Sequence, residues 1–244
     1  MKHARLLSLF LALLLALTAI PGAQATVFGA DDRIPVENPD EWPYSAIARM
    51  TVQFTCGCST SGTGFMAAKD CLMTSAHLMR CPTHLEPLAR VNMYFGYRSA
   101  NDFLTVFRME NPACWHDPAY FKEDGTVDPA RGYAYFRMPS SIADKTGYFG
   151  LAAPVDGEFN RMPVELAGYS DGVIRTSRGF AQPRSSGSIA CQLDVDAPSG
   201  LGAPIFDADC YVVALVAAED GADNIGCRIT RQLIQDMCKN GLCQ

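Results

Sequence analysis

Gly62-Thr-Gly-Phe-Met-Ala-Ala-Lys-Asp-Cys-Leu-Met-Thr-Ser-Ala-His77-Leu-Met79 is the stretch that decides how this chain is read. Two glycines lead into a short apolar run, Ala68-Lys69-Asp70 supplies a turn, a second apolar run follows, and Thr74-Ser75-Ala76 delivers His77. The pattern predicts a strand, a tight turn, a second strand and a loop carrying an imidazole. Taken alone, such a histidine is more often structural than catalytic.

The surrounding chain keeps the same habit. Ala46 to Phe54 and Val91 to Phe107 are β-prone runs broken by Gly, Pro, Asn and Asp, and no long stretch carries a helical period. Short strands at regular spacing predict an all-β sandwich or barrel. The exception is the end, where Leu233, Ile234, Met237 and Cys238 recur at helical spacing behind Thr230 and stop near Gly241, which predicts one capped C-terminal helix. No internal repeat, low-complexity tract or linker divides the chain.

The first residues, Met1-Lys-His-Ala-Arg5, precede an apolar run from Leu6 to Ile20 and a small-x-small exit at Ala23-Gln-Ala25. A positive start, a short hydrophobic core and such an exit predict a secretory signal peptide over 1–25, with the mature domain over 26–244. A secreted or periplasmic protein, with no membrane attachment after signal removal, is the expectation. Loss of Lys2 and Arg5 takes the 20 basic residues to 18 against 26 acidic ones. That balance, without a Lys/Arg cluster, argues against nucleic acid as a partner.

Ten cysteines follow the signal, an even number that in an exported chain predicts disulfides, Cys238 with Cys243 being a short-range candidate. Cys56-Gly-Cys58 is a poor metal motif by itself, because zinc sites usually place two or more residues between thiolates and need a second matching pair. No metal and no cofactor is expected.

Further segments sharpen the first. Gly62-Thr-Gly-Phe leading to Thr-Ser-Ala-His77 resembles the histidine segment of the trypsin-like serine proteases, and Asp31-Asp-Arg33 followed by Trp42-Pro-Tyr-Ser-Ala-Ile47 resembles the mature start of their glutamyl endopeptidase branch. Met162-Pro-Val-Glu-Leu-Ala-Gly-Tyr169 resembles the opening strand of that family's second barrel, with a Gly-Tyr turn. Asn224-x-Gly226-x-Arg228-Ile229 resembles its closing motif. The resemblance covers nearly the whole mature chain and implies two six-stranded antiparallel β-barrels with a short C-terminal α-helix.

It also implies a site, and there the chain departs from the family. His77 stands at the general-base position. Before Tyr133-Ala134, where the family carries the aspartate that orients the imidazole, this chain has Gly132. In Pro198-Ser-Gly-Leu201-Gly-Ala-Pro-Ile-Phe206 the nucleophile position falls on Leu201, whose side chain can neither lose a proton to histidine nor attack a carbonyl. Val216 replaces the histidine that contacts an acidic substrate side chain, and Ala217-Ala218 replace the glycine-rich substrate-binding edge.

Two function classes follow. One is a secreted protease homologue that has lost catalysis and acts by binding a protein or peptide. The other is an active serine endopeptidase with a displaced triad of His77, Asp128 and Ser199. Asp124 is a more distant substitute carboxylate, and Arg184-Ser-Ser-Gly-Ser-Ile189 echoes a nucleophile loop without its Pro-Val-Phe. A cysteine-based enzyme using Cys191 would need a free, exposed thiol beside His77. Oligomeric state is not legible.

Overall fold

The computed structural model describes residues 31–195, 198–219 and 224–241. The predicted signal peptide and Cys243 lie outside them.

After a two-residue strand β1 (Ile34–Pro35), the first sheet is built from β2 (Ile47–Phe54), β3 (Ser59–Ala68), β4 (Cys71–Ser75), β5 (Leu88–Phe95), β6 (Thr105–Glu110), β7 (Cys114–His116) and β8 (Tyr133–Arg137). Its order is β6-β5-β2-β3-β4-β8-β7, antiparallel throughout. The opening stretch folds as its residues predict: Lys69 and Asp70 form the turn between β3 and β4, with a bulge between Met66 and Ala68. In β2 and β5 inward positions alternate, so Met50, Val52 and Phe54 face the core with Val91, Met93 and Phe95. Alternation of this kind is what a sheet with one wet face requires.

A short helix α1 (Ser140–Thr146) and the strand β9 (Gly150–Leu151) connect to the second sheet. That sheet comprises β10 (Met162–Ser170), β11 (Val173–Ser185), β12 (Ser188–Cys191), β13 (Pro204–Phe206), β14 (Tyr211–Glu219) and β15 (Asn224–Arg228), with β1 added at β11 and β9 parallel to β14. Pairing of β11 with β12 closes these six strands into a barrel. The first sheet is instead a curled half-barrel of seven strands, its edge strands β6 and β7 unpaired with each other. The architecture is the expected all-β double barrel, with one barrel closed.

The C-terminal helix α2 (Arg231–Lys239) begins at Thr230, whose hydroxyl accepts from the Leu233 amide at 3.1 Å. Such a cap contributes about 1 kcal/mol. Leu233 and Met237 are buried, whereas Cys238, at helical spacing with them, faces solvent. Gly168 and Tyr169 are inside β10 and not in a turn; the turn comes at Asp171-Gly172, both with positive φ (49° and 81°). Arg184 to Ile189 is the β11–β12 hairpin. Among the described residues no helix is long and apolar enough to cross a membrane.

Candidate functional site

β4 is buried along its whole length and ends in a single 3-10 turn, Ala76–Met79, anchored by buried Leu78 and Met79. His77 rides on that turn. The residue is partly accessible, yet both ring nitrogens are buried and neither has a hydrogen-bond partner. Burial lowers the imidazole pKa to about 4, so the ring is neutral at physiological pH.

The segments bearing Gly132 and Leu201, the positions the resemblance assigns to orienter and nucleophile, pack against the residues just before it. The Ala76 amide donates to the Gly132 carbonyl at 3.1 Å. Gly132 closes a 3-10 turn, Pro129–Arg131, at an ordinary φ of −75°, so the backbone does not demand glycine. Space does. A Cβ here would lie 2.6 Å from Ala217 Cβ and 3.1 Å from the Pro129 carbonyl oxygen. The space beside the position that the resemblance assigns to the orienting carboxylate is filled by Ala217 from the other sheet. Gly132→Asp therefore lowers stability by about 1–3 kcal/mol through overpacking, read as a lower denaturant midpoint. Ala217→Gly in the same chain recovers part of the loss; an unchanged midpoint for Gly132→Asp sinks this account.

The loop bearing Leu201 is pinned to the first sheet. Thr63 donates from its amide to the Leu201 carbonyl at 3.0 Å and from its hydroxyl to the Ser199 carbonyl at 2.7 Å, while the Thr74 hydroxyl donates to the Thr63 carbonyl at 2.6 Å. Gly202 follows with φ at 90°, and a Cβ on it would lie 2.2 Å from the Thr63 carbonyl oxygen. Only glycine fits that conformation and that approach. The Gly202 amide donates to the Val216 carbonyl at 2.8 Å, and the Leu201 amide donates back to the Pro198 carbonyl at 3.2 Å. Leu201 itself is half-buried against the core of the second barrel. Thr63 and Thr74 were not singled out in the sequence, because threonine in a β-strand carries no signal of the loop it holds.

The residues at the position that the resemblance assigns to the substrate-binding edge are aliphatic. Val216 and Ala217 are buried and Ala218 is half-buried. A bulge between Val216 and Ala218 interrupts the β14–β15 register, and Ala217 within it packs toward Gly132. None of these three side chains can pair with an anion.

The substitute residues are placed differently. Asp128 caps the 3-10 turn by accepting from the Ala130 amide at 3.1 Å and pairs with Arg131 at 3.4 Å, while Arg131 also binds Asp117. Asp124 accepts from the amide and hydroxyl of Thr126, closing its own exposed turn. Neither carboxylate bonds to His77. Ser199 lies in the pinned loop, its carbonyl held by Thr63. Cys191 is buried in the second barrel, its thiol donating to the Asn224 carbonyl at 3.4 Å. No disulfide joins any of the nine described cysteines.

No protein-family model matches the chain, and no curated protein matches it in sequence. Solved structures do match in fold. A Glu endopeptidase solved with MPD superposes with a TM-score of 0.75 at 17% identity, over 90% of this chain and 100% of that one. The protease Anisep from Arthrobacter nicotinovorans gives 0.63 at 15% identity, over 83% and 98%. The thermostable serine protease AL20 from an extremophilic microorganism gives 0.60 at 13% identity, over 79% and 94%. At these identities the likeness is one of fold: the chain adopts the double-barrel fold of the trypsin-like serine proteases.

Proposed function

We propose that this protein is an exported, catalytically inactive homologue of trypsin-like proteases that acts by binding a protein or peptide. The observation that carries the reading is a leucine, Leu201, at the position that the resemblance assigns to the nucleophile, in a loop held by Thr63 and by Gly202. Acyl transfer by this kind of site needs an ionisable oxygen or sulfur there.

Three further features support it. The imidazole has no orienting acceptor, which a general base needs to hold the correct tautomer. The amide of the nucleophile residue, one of the donors that would stabilise a developing oxyanion, is engaged by the Pro198 carbonyl. Val216, Ala217 and Ala218 provide no group that could pair with an acidic substrate side chain. A binding role uses the junction between the two barrels without asking it to react, and a fold does not by itself confer chemistry.

The test is titration of purified mature protein with a fluorophosphonate, read by intact mass, beside Ser199→Ala and a broad fluorogenic peptide panel. The expected result is no adduct and no cleavage from folded protein. A stoichiometric adduct that disappears in Ser199→Ala overturns the proposal and installs the displaced triad.

A further inference from the structure

Away from the barrel junction, two short segments bring four metal-binding side chains together. The β2–β3 turn contributes Cys56 and Cys58, and the loop that leaves the His77 turn contributes Cys81 and His84; their ligand atoms all lie within 4.8 Å of one another. The two halves are about 25 residues apart in sequence, so Cys56-Gly-Cys58 alone shows only half of the arrangement.

The scaffold beneath them is ordered. In the turn, Gly57 takes φ of 85° and its amide donates to the Phe54 carbonyl, while the Phe54 amide donates to the Cys58 carbonyl. In the loop, Cys81 exchanges backbone bonds with Glu86 and Leu85, and Arg80 bridges to Pro87. The two segments are tied to each other by the Thr55 amide on the Pro87 carbonyl and by the Thr55 hydroxyl on Glu86 at 2.8 Å.

The distances fit a bound metal. His84 Nδ1 lies 3.5 Å from Cys58 Sγ and 3.6 Å from Cys81 Sγ. A tetrahedral zinc with bonds of about 2.3 Å to sulfur and about 2.05 Å to nitrogen separates those donors by about 3.6 Å. A disulfide would use two of the three sulfurs and leave the third, with the imidazole, unused. Three sulfurs and one nitrogen make a soft, closed, four-donor set, which selects zinc among common divalent ions and leaves no position for substrate.

We infer that Cys56, Cys58, Cys81 and Nδ1 of His84 form a structural zinc site that cross-links the β2–β3 turn to the loop following His77. Binding converts the three thiols to thiolates and releases their protons, leaving Zn²⁺ with three thiolates and a neutral imidazole at a net charge of −1.

The experiment uses mature protein purified without chelator. Elemental analysis reads about one zinc per chain, and cobalt added to the chelated, reduced protein gives the visible bands of a tetrahedral thiolate complex. His84 and Cys56 are exposed, so His84→Ala and Cys56→Ser remove a ligand without opening the core. Each weakens metal affinity beyond the roughly 10–100-fold that loss of a mere outer partner costs. Cys238→Ser, an exposed cysteine outside the group, leaves affinity unchanged. Chelation lowers the melting temperature of the parent protein and not of His84→Ala. Folded, reduced protein that binds no zinc, binding indifferent to both ligand variants, or peptide maps showing a disulfide among Cys56, Cys58 and Cys81 would each overturn the inference.

Discussion

Leu201→Ser does not produce a working protease: its peptide turnover stays at least about 10⁴-fold below that of an intact triad. The substitution supplies the missing oxygen and nothing else. His77 still has no acceptor on either ring nitrogen, so the tautomer and orientation that would take the serine proton are unspecified. Loss of the orienting carboxylate alone costs a factor on the order of 10⁴ in a complete site, because triad members act as a unit. Here that carboxylate cannot simply be added back, since Ala217 occupies the space beside Gly132. The Leu201 amide bonded to Pro198 removes a further donor from the oxyanion. Single-turnover assay with an activated ester checks this. A burst of product stoichiometric with Leu201→Ser enzyme would show that the barrel junction holds a competent base and oxyanion hole, and the account of a site filled by its neighbours would be wrong.

Acidification from pH 6.5 to 4 removes up to about 3 kcal/mol of folding stability through His77 alone. Its pKa in the fold is lowered from 6.5 to about 4 because burial of the ring penalises the charged form. Above pH 6.5 the imidazole is neutral in both folded and unfolded chains and contributes no pH dependence. Between 6.5 and 4 the unfolded chain binds a proton that the folded one refuses, so stability falls as pH falls, and below 4 the loss levels off. Denaturant unfolding across this window, compared between the parent and His77→Gln, isolates the effect, since the variant carries no titrating ring. Parallel stability profiles would mean that the ring is solvated in solution. Under the proposed function the lowered pKa and the missing acceptor make His77 a weak general base, so this measurement bears on function as well as stability.

The C-terminal helix and the Gly62–Met79 hairpin were legible because each is specified locally. A turn at Lys69-Asp70 between two apolar runs and a threonine cap ahead of Leu233 and Met237 are signals a few residues long. The helix Ser140–Thr146 was not legible: seven residues, mostly polar, give too little periodicity to register. Gly168 reads as punctuation and so suggests a turn there, whereas its missing side chain answers Ala203, in the loop just ahead of β13, 2.8 Å from where a Cβ would sit.

The candidate site divides the same way. Sequence by itself determined that the positions the resemblance assigns to nucleophile and orienter carry no ionisable group, because a leucine or a glycine lacks one wherever the chain places it. Only the tertiary structure decided what surrounds those positions. Asp128 is spent on its own turn and on Arg131, and Ala217 reaches Gly132 through a bulge on another barrel's strand. Only it brought Cys56 and Cys58 against Cys81 and His84. Composition is a property of single positions, but packing and coordination are properties of pairs that strand register brings within a few ångströms, and register is settled by the whole sheet.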